Sequence, residues 1–577
     1  MKNNTPTIAL TLLLLLAGCS QQTTSTKEIK EPATIKPQPS NAEVADIAPQ
    51  AKPQWDYVQN EALEASQPAS SANQQLKKHR LVKISPSIRP HQQPRANREK
   101  YQPQISNAIK LVSEHPVSTF SIDVDTGSYS NLRRMINQGI TPPKDAIRIE
   151  ELINYFDYQY PTPQNATQPF IVDTEMMTAP WNSDRKLLKI GLKGYELAAK
   201  EIGSANLVFL LDVSGSMNSP HKLPLLKRSL NLLTSQLDAG DSVSIVVYAG
   251  AAGVVLEPTA GNNQFAINNA LNKLSAGGST HGSQGIELAY QLAQQQMIEG
   301  GINRVILATD GDFNVGTTDI KTLKQLIANK RKLGISLTTL GFGQGNYNDH
   351  LMEQLADIGN GNYAYIDNIN EARKVLVDQL SSTLKTIAKD VKLQVEFNPQ
   401  QVSEYRLIGY ENRQLKREDF NNDKVDAGDI GAGHNITAIY ELTLKSAVHK
   451  AIDPLYFQRQ QVSNNSTDIA LIKLRFKQPQ AKQSQLAHFK VNRESIAHPT
   501  SRDFKFSVAV AAFGQLLKGG KYLDNYSFQD IIDLASAAKG PDEYGYRSEF
   551  IQLVKALSVQ QNQVTATTYQ GLSTSIH

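Results

Sequence analysis

The chain has 577 residues, more than one ordinary domain holds, and its 40% hydrophobic and 20% charged residues describe a globular protein with some polar low-complexity sequence. A formal net charge of +4 is small for this length, and Lys and Arg are spread without forming a basic stripe, which excludes nucleic acid as the expected partner. With Cys19 the only cysteine, an internal disulfide is excluded as well.

In chain order, the first element is the apolar run over 8–17, preceded by Lys2. It is too short for a bilayer-spanning helix, which takes about 20 residues, and reads as a signal peptide over 1–18. Cys19 directly follows Leu16-Ala17-Gly18. This resembles the lipobox of bacterial lipoproteins, in which the cysteine becomes the acylated first residue. The resemblance implies a cell-envelope protein held to a membrane through its N-terminal lipid, and Ser20 after the cysteine favours the outer membrane over the inner one. Residues 19–106 are rich in Gln, Pro, Ser, Thr, Lys and Ala without a sustained period, which predicts a disordered tether with a reach on the order of 50 Å. Trp55 and Tyr57 are read as aromatics within that linker.

A mixed α/β unit is expected over 107–204, with strands at 119–124, 170–175 and 187–192 and helices at 128–138 and 147–156. Asp123 and Asp125 hint at a calcium loop, but no glutamate follows at the required spacing, so a solvated strand end is expected. Strands and helices alternate over 205–384, closing with a helix at 370–384, which implies a doubly wound, mainly parallel sheet. Over 385–500 the period changes to two, the mark of an antiparallel β-rich domain. The 501–577 segment is helical, with Phe506, Ala509, Val510, Phe513, Leu516 and Leu517 on one face. Strands before the α/β domain are expected to pair with those after it, so that it is inserted in one β-rich body. Two further motifs fail: Asp419, Asn421 and Asp423 have EF-hand-like spacing but Lys424 takes the glycine position, and Gly514 and Gly519 have P-loop spacing but Gly520 replaces the lysine.

The chemistry concentrates at NLVFLLDVSGSM, 206–217, where an apolar strand ends in Asp212, Ser214 and Ser216, with Gly215 there to let the chain turn. Ligands of parallel sheets collect at such strand ends. A second apolar strand ends at Asp310, and Thr280 lies in the glycine-rich AGGSTHGSQG just before a helix. Two carboxylates and three hydroxyls are hard donors that suit Mg²⁺, Mn²⁺ or Ca²⁺. The pattern resembles the von Willebrand factor A domain with a complete metal-ion-dependent adhesion site, whose five positions would be Asp212, Ser214, Ser216, Thr280 and Asp310. The segments FSIDVDTGSYSNLRR, VDAGDIGAGHNITAIYEL and GYRSEFIQLVKAL further resemble the bacterial YfbK-like lipoproteins.

These resemblances imply a membrane-anchored protein that binds a protein partner through the metal, the partner supplying a Glu or Asp. Mg²⁺ is the expected ion, Mn²⁺ an effective substitute and Ca²⁺ a poorer one. No enzyme activity is expected. A metal-dependent hydrolase is the alternative, but the site loops offer only His281 and Asp312 as uncommitted groups, and His281-Gly282-Ser283-Gln284-Gly285 lacks the first glycine of a nucleophile elbow. A scaffold acting through the β-rich flanks is the other.

Overall fold

The structure, a computed structural model, describes residues 98–163, 168–197, 201–279, 282–311, 320–453, 466–493 and 499–574, with side chains to 561. The expected signal peptide, Cys19 and the tether with Trp55 and Tyr57 lie outside the described residues. No described helix is long and apolar enough to cross a membrane.

The leading part contains β1 (Lys110–Leu111), β2 (Val117–Ser121), α1 (Gly127–Asn137), α2 (Ile149–Asn154), β3 (Phe170–Ala179) and β4 (Asn182–Gly194). Then strands and helices alternate: β5 (Ala205–Asp212), α3 (Leu223–Thr234), β6 (Ser242–Tyr248), β7 (Ala252–Ala260), α4 (Gln264–Lys273), α5 (Gly282–Gln295), β8 (Ile302–Thr309), α6 (Ile320–Lys332), β9 (Ser336–Phe342), α7 (Asp349–Ile358), β10 (Tyr363–Ile366), α8 (Ile369–Arg373) and α9 (Leu380–Leu384). The remainder holds β11 (Thr386–Phe397), β12 (Val402–Ile408), β13 (Gly428–Gly431), β14 (Asn435–Leu444), β15 (Ala470–Lys477), β16 (Gln485–Val491), α10 (Arg502–Leu517), α11 (Phe528–Ala538) and α12 (Tyr546–Thr574).

The central sheet runs β10-β9-β8-β5-β6-β7 and is parallel except for the edge strand β7. β5 is apolar throughout because both its faces are covered. Leu207, Phe209 and Leu211 pack on Leu226, Leu230 and Leu233 of α3, while Val208 and Leu210 pack on Ile286, Ala289 and Ala293 of α5. Leu211 lies opposite Ala308 of β8 and Val247 of β6, so the carboxyl ends of the neighbours β5 and β8 reach one edge together.

Around this domain, strands from before and after it pair as expected: Lys110 opposite Tyr405, Phe120 opposite Leu393 and Ile190 opposite Ala438. The insertion leaves and returns at one turn, where Gly433 N–H donates to Tyr195 O and Ala432 N–H to Lys385 O, both 2.9 Å. Phe120, Ile190, Leu393 and Tyr440 join the two flanking sheets into one core. Leu187 and Ile439 face the other way, under α2 and the phenylalanines Phe506, Phe513 and Phe550 of the C-terminal helices.

Three expectations need correction. Described structure begins inside the expected tether: Arg134 bonds Glu99 at 3.0 Å, and Lys100 N–H donates to Tyr347 O at 2.9 Å. The helix expected over 370–384 is broken by a π turn at Lys374–Asp378. And α10 is buried continuously from Phe506 to Gln515, so its apolar residues are not confined to one face.

Candidate metal site

β5 delivers Asp212 at its last residue, and Asp310 follows β8 directly. Thr309 Oγ1 donates to Asp212 Oδ2 at 3.0 Å, and Ser214 N–H donates to Asp212 Oδ1 at 2.9 Å. Ser214 Oγ lies 2.9 Å from Ser216 Oγ. Asp212, Ser214 and Asp310 are buried and Ser216 is exposed, so the set opens outward through Ser216. Four of the five expected positions are thus placed on two adjacent strand ends. Thr280, the fifth, lies outside the described residues with His281 and Asp312. The loop before it is tied in by Gly277 N–H to Val213 O at 2.8 Å and by Gly215 N–H to Gly278 O at 3.0 Å.

The two serine oxygens share a hydrogen bond, and their separation also matches that of adjacent ligands about 2.1 Å from an octahedral Mg²⁺, which lie about 3.0 Å apart. The charges fit as well. Burial pushes the Asp212 carboxyl up from its usual range, the bonds from Ser214 and Thr309 offset part of this, and the Asp310 charge pushes the same way as burial. A cation relieves such a pair.

Sequence reasoning missed two members. Lys222 Nζ lies 2.7 Å from Asp310 Oδ2 and 3.0 Å from Ser216 O. Its signal was local, a basic residue immediately before a helix N-terminus, where the dipole disfavours positive charge. Thr309, which holds Asp212, was also passed over.

Asp123 and Asp125 are not a solvated strand end. They are 3% and 4% exposed. Carboxylate oxygens of Asp123, Glu151 and Glu353 lie within 4.8 Å of one another, but two arginines already serve them. Arg413 reaches Asp123 at 3.0 Å, Asp125 at 3.4 Å, Glu353 at 3.3 Å and Asp357 at 2.6 Å, while Arg148 pairs with Glu151 and with Asp349 at 2.5 Å. Residues 349–357 belong to the inserted domain and the others to its flanks, so this cluster is a joint. Among the failed motifs, Asp423 accepts hydrogen bonds from Ser484, and Gly514 packs on Ile149 and Leu152 inside the helical core.

Comparison with known proteins agrees with this architecture. The model described as von Willebrand factor type A domain matches 206–379, one described as von Willebrand factor matches 95–189, and one described as Uncharacterized protein YfbK, C-terminal, matches 382–559. "Uncharacterized protein YfbK" of Escherichia coli (strain K12) is 47% identical over 465 residues, covering 79% of this chain and 80% of that protein. "Uncharacterized protein sll0103" of Synechocystis sp. is 32% identical over 167 residues, 29% of this chain and 39% of that one. Among solved structures, von Willebrand factor type A from Catenulispora acidiphila is 15% identical, covers 67% of this chain and 89% of its own, and has a TM-score of 0.38. Von Willebrand factor A domains usually mediate protein–protein interaction. The chain belongs to the YfbK family, built around a von Willebrand factor type A domain.

Proposed function

We propose that the chain is a lipid-anchored envelope protein that binds an acidic side chain of a protein partner through a divalent ion. The observation that carries this reading is the convergence of Asp212, Ser214, Ser216 and Asp310 at one sheet edge, with the two serine oxygens at the spacing of adjacent metal ligands. These residues, with Thr280, would hold Mg²⁺, with Mn²⁺ as the best substitute and Ca²⁺ fitting less tightly. When bound, the ion supplies an electrophilic position for one more anionic oxygen. The hydroxyl donors add no charge of their own, so that position suits a partner's Glu or Asp. Anchoring at the outer membrane rests on Leu16-Ala17-Gly18-Cys19-Ser20.

The reading is one of binding without catalysis, since hydrolysis needs a base held beside the ion and the histidines and the further acid of the site loops, His221, His281 and Asp312, match no catalytic motif. Turnover of a phosphoester by the purified chain would reverse this ranking.

The test is affinity capture from membranes in Mg²⁺ and again in EDTA. A partner should be retained with Mg²⁺, released by chelator, and weakened more than about 100-fold by Asp212→Asn or Asp310→Asn, with circular dichroism unchanged. Cys19→Ala should move the chain to the soluble fraction. Capture insensitive to both chelator and substitution would refute the metal reading.

A further inference from the structure

Lys222 immediately precedes α3, at the positive end of that helix, where an ammonium is disfavoured unless something else holds it. Two things do. Its Nζ sits between Asp310 Oδ2, at 2.7 Å, and Ser216 O, at 3.0 Å, with the lysine side chain 12% exposed and that of Asp310 1%. Its stem lies in a seat made by Gly343: a Cβ added there would stand 2.3 Å from Lys222 Cε and 2.6 Å from Cγ. A surface lysine that merely drifts to the nearest acid has no such seat.

This changes the charge arithmetic of the site. Asp212 and Asp310 carry two negative charges, which a divalent ion would neutralise, but Lys222 already neutralises one. A loaded site with the lysine in place keeps a net positive charge, and the ammonium and the ion compete for the Asp310 carboxylate.

Resting on the metal-binding reading above, we infer that Lys222 is a built-in counter-ion that weakens divalent-metal affinity by holding Asp310, and leaves the loaded site positive toward an incoming carboxylate. The lysine acts on the ion through Asp310 and the local field, so it is a positioning residue. Its loss exchanges a competitor for nothing, and the ion gains what the lysine held.

The test is Mn²⁺ binding to the full chain, by the loss of the free-ion resonance in electron paramagnetic spectra, with Mg²⁺ titration calorimetry beside it. Lys222→Met keeps the stem over Gly343 and removes the charge; Lys222→Gln is a second neutral variant should the first melt early. Both should bind Mn²⁺ about tenfold more tightly or better, the size of one charge-assisted hydrogen bond released, and Asp212→Asn should bind none at this site. Equal or weaker binding by both variants, with wild-type binding intact, overturns the role of Lys222 and leaves the metal reading standing. No binding by wild type or by either variant overturns both.

Discussion

Gly311 follows Asp310 directly with φ of +85°, in the left-handed region, and a Cβ there would meet Tyr347 Cδ2 at 2.5 Å and Asn348 N at 2.6 Å. Its N–H donates to Thr309 Oγ1 at 3.2 Å, the hydroxyl that also holds Asp212. Backbone strain and the clash therefore fall on the support of both carboxylates. Gly311→Ala is expected to cost about 2–4 kcal/mol in urea unfolding and to weaken metal binding with it. Gly215, the glycine that the sequence marks for a tight turn, is a contrast. It has no positive φ, and a Cβ would make only an ordinary contact with Gly278 O at 3.4 Å, so Gly215→Ala should change stability by less than about 1 kcal/mol. If the two substitutions cost the same, the assignment of the constrained glycine is wrong. The candidate residues of this edge were legible because Asp212, Ser214 and Ser216 are neighbours in sequence. What the sequence hides is which glycine is indispensable, since that depends on Tyr347 and Asn348, more than thirty positions away.

The strand β5 was legible because burial on both faces demands an unbroken apolar run, and the flanking strands because their sequences alternate, although alternation does not say which strand pairs with which. The two-residue β1 and the glycine-rich β13 carry too little pattern to be seen. Neither does a periodic run reveal the π turn at Lys374–Asp378, where Gln379 N–H reaches back to Lys374 O at 2.9 Å. The cause is tertiary: Lys374 is buried, its Nζ donates to Tyr155 O and lies 3.0 Å from the centre of the Tyr155 ring. Burial pushes this ammonium from 10.5 down to about 7. Between those values the unfolded chain holds a proton that the folded chain has released, so stability rises with pH across this window; below about 7 both states are protonated and the penalty is full. Lys374→Met should therefore gain most over wild type near pH 6 and lose that gain toward pH 10, with a slope of at most about 1.4 kcal/mol per pH unit. The measurement is guanidinium unfolding of both proteins across that range, and a pH-independent difference would sink the account.

At the scale of the whole molecule, the inserted domain is fastened to its flanks by arginines that could not be matched to their acids from sequence, since Arg413 lies 290 positions from Asp123 and 60 from Glu353. Arg133 repeats the device, joining Asp367 and Glu371 of the insertion to Glu549 of the last helix. Charges at such joints are costly when one partner is removed, because those left behind remain buried without compensation. Burial pushes the Glu353, Asp125 and Asp357 carboxyls up and the Arg413 charge opposes that shift, with Arg148 opposing it more strongly at Glu353. Arg413→Met is expected to cost about 3–5 kcal/mol, read as a lower midpoint in chemical denaturation. Adding Asp123→Asn to it removes one of the stranded charges and should recover part of that loss, whereas Asp123→Asn alone should destabilise. If the two changes simply add, the arginine is not serving that carboxylate, and the junction is held by its apolar contacts instead.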